Sequence, residues 1–129
     1  MNSEQEIDII IKSRAKMLPR KSKCALIKAA VYIINADGKI IETEKEALLK
    51  VLTCLNADES MLQEAVNMTD SDMFLNINSQ LAYLAAASLL VEVAQSGDSI
   101  DKYGKGFQTF NAILNRSQYG LSNRPFWMK

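Results

Sequence analysis

The residue types and spacing that could do chemistry are concentrated in one stretch, Ala36-Asp37-Gly38-Lys39-Ile40-Ile41-Glu42-Thr43-Glu44. Hard cations such as calcium and magnesium take several oxygen ligands, and Asp37, Glu42 and Glu44 offer three carboxylates on a short loop. A second Gly/Asp turn, Gly97-Asp98-Ser99-Ile100-Asp101, would add Asp98 and Asp101 if the fold brought the two turns together. Asp37-Gly38 followed by Glu44, with Ile40 between them and Asn35 before, matches the second half of an EF-hand loop. The first half fails: the position of the lead carboxylate is Ile33. The competing reading is structural. Asp37-Gly38 then serves only as a helix stop, and Glu42, Glu44 and Glu46 answer the positive end of the next helix. Taken by themselves the residues favour this second reading, because acidic first turns are common in helices that bind nothing.

Other chemistry is largely excluded. The chain has no histidine, which removes a histidine-based triad, a histidine metal site and a histidine pH switch. It also lacks an activated-nucleophile motif and a Gly-rich phosphate loop, so no enzymatic activity is expected. Its two cysteines, Cys24 and Cys54, lack C-x-x-C spacing; antiparallel packing of the helices flanking the acidic turn would permit a bridge between them, but reduced, half-buried thiols are expected.

The elements that must position the acidic stretch are helices. Ser3 is the expected N-cap of a first helix running to about Leu18, with Glu4, Glu6 and Asp8 in its first turn and Pro19 as its stop. Ile7, Ile10, Ile11, Ala15 and Leu18, with the stem of Arg14, follow its helical spacing. Ser22 is the expected cap of a second helix that is apolar on almost every face and therefore belongs in the centre of a bundle. Thr43 and Glu46 have the spacing of a capping box for a third helix striped by Ala47, Leu48, Val51, Leu52 and Leu55. Asp58 is expected to cap a short helix, and Thr69 or Asp70 another. Asn78 or Ser79 then opens a long helix, Leu81 to Ala94, as apolar as the second. A final helix begins near Asp101 or Lys102 and carries Phe107, Phe110, Ile113 and Leu114 on one side. The residues from Gln118 onward show no helical periodicity, and no strand-like alternation occurs anywhere.

An internal repeat is readable at a separation of sixty residues. Leu26 to Ile41 set beside Ala86 to Asp101 matches an apolar helix, Val31 with Val91 and Ile33 with Val93, to its Gly/Asp turn and following isoleucine.

At 129 residues and 48% apolar content the chain suits one domain with a real core. Fifteen basic and fifteen acidic residues cancel, so the whole protein exerts no long-range pull on nucleic acid or an anionic membrane. The charges are segregated, however: Lys12, Arg14, Lys16, Arg20, Lys21, Lys23 and Lys28 fall in a gap with no acid between Asp8 and Asp37. No helix-turn-helix pattern accompanies them, and nucleic acid is not an expected partner. The acidic, polar start does not resemble a secretory signal, and no apolar run reaches the ~20 residues of a membrane span. A cytoplasmic protein without a membrane span is expected.

An apolar helix, then Ala36-Asp37-Gly38-Lys39-Ile40, then Glu44 leading a leucine-striped helix, resembles the signature of the TerB-like domains, named for a bacterial tellurite-resistance protein. Ala85 to Ala94 with Gly97-Asp98-Ser99-Ile100 resembles the second helix and turn of that family, although the Asp-Gly order is reversed and no Glu follows. The likeness covers Lys21 to Arg116. It implies an all-α, single-domain helical bundle with a pseudo-twofold internal repeat. The organisation expected is an N-terminal helix over 1–20 packed on the domain, the TerB-like domain over 21–117 and an irregular tail over 118–129. The likeness further implies a divalent metal (calcium, magnesium or zinc) at Asp37, Glu42, Glu44, Asp98 and Asp101, with a role in stress response or protein–protein interaction. The alternative is a metal-free scaffold for a protein partner of unspecified identity.

Overall fold

The computed structural model describes residues 3–36, 41–96 and 104–123. Eight helices account for most of them: α1 (Ser3–Ala15), α2 (Arg20–Asn35), α3 (Glu42–Cys54), α4 (Glu59–Asn67), α5 (Asp70–Leu75), α6 (Gln80–Gln95), α7 (Lys105–Arg116) and α8 (Gln118–Ser122). No strand occurs among the described residues, as the absence of alternation predicts.

The two apolar helices, α2 and α6, are the axis of the bundle. They pack on one another; α2 also meets α3, α4, α5 and α7, while α6 meets α1, α3, α7 and α8. Ala25, Ala29 and Ala30 on α2 and Ala82, Ala85 and Ala86 on α6 are all buried. Small side chains on packed helices let the axes approach closely, and Leu26, Ile27, Leu89 and Leu90 of the same two helices are buried as well. Gly106 extends the close packing to α7, since a β-carbon there would lie 3.6 Å from Ala94 O and 3.8 Å from Ile33 Cγ2.

The caps expected at Asp58, Thr69 and Ser79 all form, each accepting a backbone N–H of the following turn. Two other helix starts differ from expectation. Helix α2 begins at Arg20 behind Pro19, so Ser22 is a buried residue of its first turn and not its cap. Proline at the cap fits because the N–H it lacks has no helical partner at that position. Helix α3 begins at Glu42 with Ile41 as N-cap, and Glu44 reaches back to accept Ile41 N–H at 3.1 Å. The box expected from Thr43 and Glu46 is replaced, two residues earlier, by its back-reaching half alone, since Ile41 has no side-chain acceptor. Helix α7 is described from Lys105, and the start expected near Asp101 falls outside the described residues.

At the other end of the chain, α8 is a short helix where the sequence shows no periodicity. It forms through local capping and one tertiary bond. Ser117 Oγ accepts Gly120 N–H at 3.0 Å, and Tyr119 N–H donates to Ile77 O at 2.9 Å. Helix α1 also packs less than its spacing suggests: Ile11, Ala15 and Leu18 are buried, while Ile7 and Ile10 remain exposed. It is fastened to α6 by Lys12, which bonds Glu92 and lies 2.9 Å from Asp8. Burial opposes the charge of Lys12, but the hydrogen bonds to Glu92 and Asp8 outweigh it and raise its pKa.

Candidate functional site where the central helices end

Both central helices stop in the same way. Ala36 N–H returns to Ile33 O and Ser96 N–H to Val93 O, each at 3.2 Å, a tightened last turn that satisfies one terminal carbonyl. The two ends are then tied together through α3. Thr43 Oγ1, in the first turn of α3, donates to Ser96 O at 2.6 Å across 53 residues of sequence. The flank of the first acidic turn thus touches the flank of the second.

Of the five carboxylates singled out from the sequence, Glu42 and Glu44 belong to the described residues, and Asp37, Asp98 and Asp101 lie outside them. Glu42 is 79% exposed at its side chain, with Lys45 Nζ at 3.9 Å, an ion pair too open to fix its direction. Glu44 is only 3% exposed and is held by the Ile41 N–H. Its first duty is structural: it serves the N-terminus of α3, where a carboxylate also meets the positive end of the helix dipole. Among the described residues no three Asp, Glu or Cys side chains gather as a metal-ligand group. Ile33, which stands where an EF-hand has its lead carboxylate, is part of the core.

The electrostatic setting favours a cation in one respect. The C-terminal ends of α2 and α6 carry the negative ends of their dipoles, and neither helix has a basic residue in its last turn to offset it.

A second polar cluster, without a sequence signal, lies at the N-terminal end of α2. Arg20 Nη2 donates to Ser60 Oγ at 2.9 Å and its Nε lies 3.3 Å from Glu64. Cys24 Sγ donates to Glu64 Oε2 at 2.9 Å. Cys24 is fully buried, and burial together with the Glu64 carboxylate pushes its thiol from the ordinary 9.0 up to about 12. The same hydrogen bond holds Glu64 below the usual carboxylate range. A raised thiol pKa means that the stabilisation from this bond is fully present below about pH 9 and fades as the pH approaches 12. Both cysteines are free thiols, and Cys54 is half-buried. Under native conditions at pH 8, iodoacetamide is expected to label Cys54 well before Cys24, as peptide mass mapping would read; equal rates would contradict the buried, protonated thiol.

Further along α2, grooves of about 200 Å³ and 220 Å³ flank Tyr32. Tyr32 hydroxyl donates to Asp70, which raises its pKa. Lys28 Nζ sits 5.3 Å from the Tyr32 ring centre and the Arg116 guanidinium 4.7 Å from that of Phe74. Three members of the basic run, Lys12, Arg20 and Lys28, are thereby engaged with groups of their own chain. No helix among the described residues is long and apolar enough to cross a membrane. No family model, curated protein or solved structure matches the chain.

Proposed function

We propose that the chain is a TerB-like, non-catalytic cytosolic module that takes a divalent cation where its two Gly/Asp turns open, and that it works in stress response through protein–protein contact. The observation that carries this reading is the Thr43–Ser96 hydrogen bond, because it joins the flanks of the two segments that hold Asp37 and Asp98. The repeat adds support. Helix α6 repeats the bounds of α2 sixty residues on, Arg20 to Gln80 and Asn35 to Gln95. The packing is reciprocal as well: α2 meets α3 and α7, and α6 meets α7 and α3. Such an exchange is what a pseudo-twofold arrangement requires.

Under this reading Asp37, Asp98 and Asp101 are the principal ligands. Glu42 is near enough in sequence to join them, and Glu44 holds the start of α3. The cation neutralises the two helix C-termini and the acids around them, and so fixes the turns relative to the bundle. Calorimetric titration with calcium, magnesium, manganese and zinc tests it. One cation is expected to bind with heat that Asp37→Asn or Asp98→Asn abolishes. The absence of binding by all four would overturn the metal reading.

A metal-free interaction scaffold is favoured by one observation: Glu44, the best-placed described carboxylate, is already bonded within its own helix start. A stable partner recovered equally well with and without chelator would establish that alternative.

A further inference from the structure

We infer that α1 is a self-association helix: a second copy of this chain docks antiparallel against its outer face, with Ile10 on the twofold axis and Glu6 facing Arg14 of the other copy. The inference does not depend on the cation reading. Helix α1 uses Ile11 and Ala15, with Leu18 just beyond it, to pack on the bundle, and presents Ile7 and Ile10 to solvent at 56% and 51% exposure. Together on one turn, these two isoleucines form an apolar patch that nothing covers among the described residues.

The occupant is indicated by the charges around that patch. Glu6, Ile10 and Arg14 stand four residues apart and so line up along one stripe of the helix. Glu6 and Arg14 are equally distant from Ile10, of opposite sign, exposed, and about 12 Å apart along the axis, too far to pair with each other. Neither is held in an ion pair with another described residue. A stripe with an apolar centre and opposite charges on its two arms is complementary to itself when reversed. That is the requirement of an isologous twofold contact, in which residue i meets j and j meets i. Ile10 then meets its own copy, Ile7 packs beside it, and both Glu6–Arg14 pairs close at the rim. A parallel pairing would set like charges against each other.

Two helices about 20 Å long meet over much less than the roughly 1,200–2,000 Å² of a stable interface. The dimer is therefore weak, with a dissociation constant on the order of 100 μM. Ile9, also exposed, lies about 100° round the helix from Ile10, outside the contact, and serves as a control.

Sedimentation equilibrium of the full chain, from about 10 μM to 1 mM, tests the inference. The chain is expected to dimerise over that range. Ile10→Glu weakens association at least about tenfold, whereas Ile9→Ser leaves it unchanged. Glu6→Lys and Arg14→Glu, each alone, set like charges together at both arms and also weaken it about tenfold. An equimolar mixture of those two variants restores it, because each arm of one then meets its opposite on the other. All four positions are exposed, so circular dichroism melts are expected to match the unmodified chain. A monomer throughout the range, a dimer indifferent to Ile10→Glu, or a mixture no tighter than its components would each overturn the inference.

Discussion

Gly120→Ala is expected to destabilise the protein by about 3 kcal/mol, at the upper end of what overpacking costs. The added β-carbon would lie 2.1 Å from Leu114 O and 2.9 Å from Ser117 Oγ. The first of these is backbone at the end of α7, so no rotamer change can relieve the clash. Movement of α8 is the only escape, and it has consequences. Ser117 is fully buried, with its hydroxyl donating to Leu114 O at 2.8 Å and accepting from Gly120 N–H. Displacing Gly120 leaves that buried hydroxyl short of a partner and strains the Tyr119–Ile77 backbone bond and the tilted Tyr83–Tyr119 ring contact at 5.1 Å. Urea denaturation followed by circular dichroism measures the effect. A loss below about 0.5 kcal/mol would mean that the turn between α7 and α8 is not built as described.

Leu26→Ala is expected to cost about 3–5 kcal/mol. Leu26 is fully buried in the middle of α2. The cost depends on how far neighbours can collapse into the space left behind. Leu26 is among the largest fully buried side chains, in an interior whose close packing limits how far neighbours can move. The cavity should therefore persist. Leu49→Ala, at a leucine 61% exposed on α3, is expected to change stability by less than about 0.5 kcal/mol. The contrast between the two, read in the same denaturation series, tests whether α2 is the axis of the core.

The sequence made the central architecture legible because α2 and α6 are too apolar to lie at a surface, whatever packs around them. Capping was legible where one side chain decides it, as at Asp58, Thr69 and Ser79. It failed at Ser22, where proline sets the helix start by its fixed φ, and at Thr43, whose hydroxyl goes to Ser96 instead of its own helix. That tertiary bond competes with the local one, and no local pattern can report the winner. Helix α8 was hidden for the same reason, since its formation depends on Ser117 and on the distant Ile77 carbonyl. In α1 the periodic isoleucines gave a broader buried face than the bundle accepts. The Cys24–Glu64–Arg20 cluster joins residues forty positions apart and leaves no signature in spacing. At the candidate site the spacing pointed to five acids. Glu44 turns out to be fixed by the start of α3, whereas the Thr43–Ser96 link that brings the two turns' flanks together was visible only indirectly, through the sixty-residue repeat.

The proposal that one cation is shared by both turns is directly testable. Sub-stoichiometric manganese added to isotopically labelled protein would broaden the amide resonances near any bound ion. Signals of Ala36 and Ile41 to Thr43 are expected to fade together with those of Ser96 and its neighbours, at the same metal ratio, and to recover on adding chelator. Broadening confined to one of the two turns, or spread over acidic surface elsewhere, would contradict it.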